Sequence, residues 1–223
     1  MTILDQHPDL LEALRGEMTP KFLATRSPDG IPNVVPCVSL LPADDQADTL
    51  FFGNFLLRKS IRNLEQDRRV GVLVITPALK GWLLKGEFVE FQRTGAYVDR
   101  QMSSSLLRYN AYTGIRNAGV LRILSVEGGF AISKLQVALE YLLAQASALR
   151  FKAERMSPGV VVPPPVKKEF ARMVAVKVLA WIGEDGYPQI TPALSLQPAG
   201  ENALVGWLGG KERLFPAHGA LAA

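Results

Sequence analysis

The apolar positions of this chain fall mostly into short runs separated by turn residues, with helical spacing confined to a few stretches. Ile3-Leu4, Leu10-Leu11 and Leu14, ended by Gly16, predict a short amphipathic helix lying on a sheet. Lys21 to Arg26 and Asn33 to Leu41 are apolar strands, and Ser27-Pro28-Asp29-Gly30 between them is a turn in which Pro sets φ and Gly tolerates positive φ, so the pair predicts a β-hairpin. After the polar loop Asp44 to Asp48 comes a strand, Thr49 to Gly53, then a helix, Lys59 to Gln66, with Ile61 and Leu64 on one face. Arg69 to Thr76 is the next strand. Lys80 to Arg93 reads as a long one, because Trp82, Leu84, Phe88 and Phe91 recur near a period of two, with Gly86 as a bulge. Five strands by this point suggest a small barrel.

Tyr97 to Asn110 predicts a helix, Gly119 to Val126 a further strand, and Gly128-Gly129 a turn after it. Ser133 is placed to cap another helix, in which Leu135, Leu139, Leu142, Ala146 and Leu149 share one face; a packed face is favoured over a membrane-surface or partner-binding one. Ser157-Pro158-Gly159 and Pro163-Pro164-Pro165 predict a stiff, extended connector, since consecutive prolines disfavour helix. Beyond it the sequence repeats itself. Phe22 to Pro32 is echoed by Val178 to Pro188, and Pro36, Ser39, Leu40, Pro42 and Ala43 return at the same interval as Pro192, Ser195, Leu196, Pro198 and Ala199. The expected organisation is a barrel domain over 1–130, a helix with a Pro-rich linker over 131–168, and a degenerate partial repeat over 169–223 that packs on the first barrel or on its equivalent in a partner chain.

Composition narrows the chemistry. With 223 residues and 48% apolar content the chain can bury a real core. No apolar run reaches the roughly 20 residues of a membrane helix, and the start, broken by Asp5, His7, Pro8 and Asp9, lacks a signal peptide's apolar centre, so no membrane association and a cytoplasmic location are expected. The single cysteine, Cys37, has no thiol partner and sits in an apolar run, which favours a buried packing role over a reactive one. Only two histidines occur, His7 and His218, neither spaced with another ligand. Histidine triads and most zinc centres are thereby disfavoured, no metal is expected, and any catalysis leans on an organic cofactor.

The formal charge of +4 suits an anionic partner, with acidic residues interspersed among the basic ones. The most informative stretch is Phe51-Phe52-Gly53-Asn54-Phe55-Leu56-Leu57-Arg58-Lys59-Ser60-Ile61-Arg62-Asn63-Leu64, where an apolar strand passes through a glycine turn into two cations and a helix. Two charges and the unpaired N–H groups of a helix start make a phosphate-holding corner. Read instead as a nucleic-acid surface, Arg58, Lys59, Arg62, Arg68 and Arg69 are interrupted by Glu65 and Asp67 and lack interleaved aromatics, so no nucleic-acid partner is expected. Arg108 to Asn117, dense in tyrosine and hydrogen-bonding groups, is either a substrate-reading loop or a structural one. Glu87 and Glu90 are assigned to a surface or interface, not to acid–base catalysis.

The order of hairpin, strand, Gly-Asn turn, Arg-Lys, short helix and Asp-Arg-Arg-Val strand resembles the pyridoxamine 5′-phosphate oxidase-like group of FMN-binding split β-barrels, over roughly residues 20–125. Its anchors are Ala24-Thr25, Asp29-Gly30, Pro32, Phe51 to Asn54, Arg58-Lys59, Asn63-Leu64 and Arg69-Val70. The resemblance implies a mainly β split barrel with flanking helices, and a homodimer sharing two flavin sites. It implies that Arg58 and Lys59 hold the FMN phosphate, that the ring rests along Val35, Pro36 and Cys37, and that Phe52 and Gly53 line the ribityl chain. Leu57 stands where many members have serine. The partner subunit would contribute from the strand holding Lys80, Gly81 and Trp82, although Trp82 equally suits the barrel core. The implied activity is a flavin-dependent oxidoreductase acting on a small molecule, with a deazaflavin cofactor or a non-catalytic flavin-binding, redox-sensing module as alternatives. Vitamin B6 oxidation itself is disfavoured, because Gly209 to Ala223 holds no Arg- and Trp-bearing segment of the namesake's kind.

Overall fold

A computed structural model describes residues 2–55, 57–104, 114–150 and 161–207. The chain forms two compact units: Met1–Ala131 with Ala180–Ile190, and Ile132–Leu179 with the described residues from Thr191 onward.

The first unit is mainly β with flanking helices. Its strands are β1 (Lys21–Arg26), β2 (Pro32–Pro36), β3 (Leu41–Pro42), β4 (Thr49–Gly53), β5 (Arg69–Ile75), β6 (Lys80–Gln92) and β7 (Ala118–Ala131). They pair antiparallel in the order β2-β1-β5-β6-β7-β4-β3, with Leu23 opposite Val35 on one side and Val72 on the other, and Phe52 opposite Gly119. Burial along β6 alternates as its sequence predicts, with Trp82, Leu84 and Phe88 inside. The expected irregularity at Gly86 is present as a register shift between Lys85 and Gly86. Gly128 and Gly129 do not form a turn: β7 runs through them to Ala131, which lengthens its pairing with β6.

Helix α1 (Pro8–Arg15) buries Leu10 and Leu14, and α2 (Arg58–Gln66) buries Leu64, in one cluster with Leu23, Leu50, Phe52, Val72, Trp82 and Leu121. Helix α3 (Ala96–Met102) stacks Tyr97 on Phe51 at 4.6 Å and 12°. The remainder of the helix predicted to Asn110 lies largely outside the described residues.

The second unit contains α4 (Lys134–Arg150), α5 (Pro164–Phe170), β10 (Gln197–Ala199) and β11 (Ala203–Val205), with Leu179, Ala193 and Leu196 buried among Phe170 and Leu204. The Ser133 hydroxyl accepts the Gln136 N–H, as a cap does. Two expectations are corrected. The α4 face is not packed, since Leu135, Leu139, Leu142 and Leu149 are 82%, 58%, 62% and 90% exposed. Pro164-Pro165 does not extend the connector but opens α5, where the first-turn N–H groups have no helical partner to lose. Ser157-Pro158-Gly159 lies outside the described residues.

The hairpin of β8 (Val178–Ile182) and β9 (Pro188–Pro192) has Ala180–Ile190 in the first unit and its outer ends in the second. The sequence repeat is reproduced in its main-chain turn bonds. Ser27 N–H donates to Ile31 O as Gly183 does to Tyr187, and Gly30 and Gly186 take φ of 76° and 78°. Cys37 N–H donates to Lys21 O as Ala193 does to Lys177 O, and the hydroxyls of Ser39 and Ser195 accept the N–H groups of Gly53 and Trp207. Lys21 and Lys177 are buried twins whose ammonium groups each donate to two carbonyls.

Candidate functional site

The corner that the sequence marks as a candidate phosphate holder forms where β4 ends. Thr49 to Gly53 is fully interior, so the chain emerges at Asn54 with no freedom to turn back through the core. Asn54 N–H donates to Asn117 O at 3.0 Å, and Arg116 N–H returns to Asn54 O at 3.3 Å, extending the β4–β7 ladder by one step. This places Arg116 beside the start of α2. Leu57 is the helix's N-cap and offers no side-chain hydrogen bond. The first helical bond is Ile61 N–H to Leu57 O, which leaves the N–H groups of Arg58, Lys59 and Ser60 without a helical acceptor.

Two polar bonds, one part-buried and one buried, fix the rotation of α2. Asn33 of β2 donates to the Ser60 hydroxyl at 3.0 Å, and Asn63 donates to the Thr25 hydroxyl at 3.0 Å, with Ser60 and Asn63 both buried. With Ser60, Asn63 and Leu64 held inward, Arg58 and Arg62, one turn apart, project together. An open groove of about 490 Å³ results, lined by Asn54, Phe55, Leu57, Arg58, Ile61, Arg62 and Arg116. Among the described residues, none of its three guanidinium groups has a carboxylate partner. Three such cations and open helix N–H groups give this corner a positive field that favours an anion.

The other anticipated residues are placed as follows. Lys59 is exposed on α2 but is not part of the groove lining. Val35 is half-buried against the core and Pro36 is exposed, on a strand at the edge of the sheet, so the outer main-chain groups of β2 have no strand partner among the described residues. Cys37 is buried, and burial pushes its thiol up to about 12, which fits the packing role and removes a thiolate near neutral pH. Phe52 is fully interior, its ring lying over Gly119, and Gly53 N–H donates to the Ser39 hydroxyl. Trp82 is 3% exposed within the core cluster, with the Lys80 ammonium 5.2 Å from its ring centre. Glu87 is bound by Arg122 and Tyr187 at the surface. Arg108 to Thr113 lies outside the described residues, as do Gly209 to Ala223 and His218.

The sequence places Arg62 within the 51–64 stretch without giving it a role at the corner, and Arg116 only within the 108–117 loop. Arg62 was findable from its four-residue spacing to Arg58. Arg116 was not, because its place depends on the long-range pairing of β4 with β7.

No protein-family model matches the chain, and no curated protein matches it. Several solved structures are similar in part. An FMN-binding protein from Syntrophomonas wolfei subsp. wolfei is 17% identical over 59% of this chain and 92% of its own, with a TM-score of 0.47. Group A Streptococcus HupZ is 18% identical over 56% and 98%, at 0.44. A putative pyridoxamine 5′-phosphate oxidase from Lactobacillus delbrueckii is 20% identical over 54% and 91%, at 0.40.

Proposed function

We propose that this chain is a flavin-binding split-barrel protein of the pyridoxamine 5′-phosphate oxidase-like kind, holding FMN or a deazaflavin by its phosphate in the Arg58 corner and serving as an oxidoreductase for a small molecule. The observation that carries the reading is the grouping of Arg58, Arg62 and Arg116 around the open N–H groups of α2 with no carboxylate partner among the described residues. A phosphate is the ligand that three guanidinium forks and a helix start satisfy together.

The residues present fit the cofactor at a second point. The Asn33 to Ser60 bond ties the free edge of β2 to the first turn of α2, so a planar ring joined to that phosphate has main-chain donors and acceptors within reach. Bound there, the flavin supplies the hydride or electron transfer. The protein's part is to anchor the phosphate through Arg58, orient the ring along Val35 and Pro36, and leave its outer face for substrate and for a second subunit of a homodimer. Among the described residues the groove lining contains no histidine, cysteine or carboxylate, in keeping with redox chemistry that belongs to the cofactor.

The test is an absorbance spectrum of the purified protein, followed by fluorescence titration with FMN. Retained or saturable FMN, lost on substitution of Arg58 and Arg116 by alanine, is the expected result. A protein that neither carries nor takes up FMN or a deazaflavin overturns the reading. Turnover of reduced nicotinamide by the loaded protein separates an oxidoreductase from a flavin-binding module.

A further inference from the structure

The first unit includes a segment that belongs to the sequence repeat: the tip of the β8–β9 hairpin, Gly183 to Pro188. It lies across β1, β5 and β6 in a fitted seat. Arg26 donates to Gly186 O at 2.9 Å, and the Lys85 ammonium meets Asp185 at 2.8 Å. The Tyr187 hydroxyl donates to Glu87 at 3.2 Å. Asp67 holds both arginines at the rim, reaching Arg26 at 3.0 Å and Arg69 at 2.7 Å. The main chain comes so near at one point that only glycine permits it: a Cβ on Gly71 would stand 2.2 Å from Pro188 O.

The seated tip has a free twin. Ser27 to Pro32 has the same turn bonds and the same left-handed glycine, and its Asp29 and Ile31 are exposed. It keeps the groups the seat reads, with Asp29 for Asp185, Gly30 for Gly186 and Pro32 for Pro188, and lacks only the hydroxyl of Tyr187. A seat that accepts one tip therefore matches the other in charge and backbone shape. Contacts between copies of one fold through equivalent elements are the rule in symmetric assemblies.

We propose that the β1–β5–β6 face around Gly71 is a barrel-to-barrel interface that this chain fills from within. The Gly183–Pro188 tip occupies the place where a second copy of the chain would set its own Ser27–Pro32 tip. This surface is separate from the Arg58 corner, and the inference does not rest on the flavin reading.

The test releases the tip and watches assembly by sedimentation velocity and hydrogen exchange. Asp185→Lys sets three cations, Lys85, Arg26 and Arg69, against a fourth. Loss of exchange protection over 183–188 with a concentration-dependent gain in mass over the wild type is expected, and adding Asp29→Lys should abolish the gain. Gly71→Val closes the seat to both tips, so protection should be lost with no gain in mass. A released tip in Asp185→Lys with unchanged mass overturns the proposal, as does a gain that survives Asp29→Lys. Retained protection in both variants overturns the docking chemistry beneath it.

Discussion

Asn33 and Ser60, far apart in sequence, meet at 3.0 Å beneath the first turn of α2, the amide of one donating to the hydroxyl of the other. Ser60 is 1% exposed. The bond joins the edge strand, where a ring would lie, to the helix start, where its phosphate would be held. Ser60→Ala leaves the Asn33 amide short of its acceptor and should cost about 1 to 3 kcal/mol in urea unfolding. The same variant should bind FMN more weakly while its Arg58 charge is intact. Unchanged affinity in a destabilised variant would show that the bond serves the fold alone.

Arg58 and Lys59 are neighbours in sequence but not in place, because of the two only Arg58 lines the groove. Arg58→Ala should weaken FMN binding roughly tenfold to a hundredfold, the equivalent of ~1.5 to 3 kcal/mol for one charge-assisted bond. Lys59→Ala should change it by less than about threefold, through screened Coulomb attraction only, and that remainder should fade in high salt. Fluorescence titration of both variants at two ionic strengths checks the ranking. Equal losses would mean that the two cations act as a pair.

The strand elements around this corner were largely legible. Turn chemistry at Ser27 to Gly30 and the alternating burial of β6 gave correct elements, and Gly86 marked its bulge. Local pattern failed where the answer lay in a distant partner. Leu135, Leu139 and Leu142 form an apolar face, but spacing alone does not say whether anything covers it, and here they are exposed. Arg116 joins the site through pairing of β4 with β7, which no local window contains. The echo of Phe22 by Val178 begins one residue after Lys21 and Lys177, so the buried lysine twins stood at the edge of the matched segment.

Gly119 lies under the ring of Phe52, and a Cβ added there would stand 2.3 Å from it. Since both are interior, the ring has nowhere to go. Gly119→Ala should therefore cost about 1 to 3 kcal/mol by overpacking. Coupling it with Phe52→Leu should recover part of that loss, so the double variant is more stable than the sum of the two single costs requires. Additive losses in urea unfolding would place the ring elsewhere.

Lys21 donates to Gly16 O and Val38 O at 2.8 and 3.2 Å, and burial lowers its pKa from 10.5 to about 8. Lys177 is likewise brought down to about 8 by burial. Below about pH 8 both lysines are charged, folded or unfolded, and the cost of burying that charge is fully present. Between about 8 and 10.5 the unfolded chain still holds protons that the folded chain has released, so the lysines' contribution makes stability rise with pH. Cys37 opposes this above 9, since its folded thiol holds a proton up to about 12. The stability difference between the wild type and Lys21→Met, read by urea unfolding at each pH, separates the two effects. It should shift in the wild type's favour from pH 8 to 10 and be flat from 6 to 7.5. A difference that is constant or moves the other way would mean that the ammonium keeps its charge in the folded chain, held by its two carbonyls.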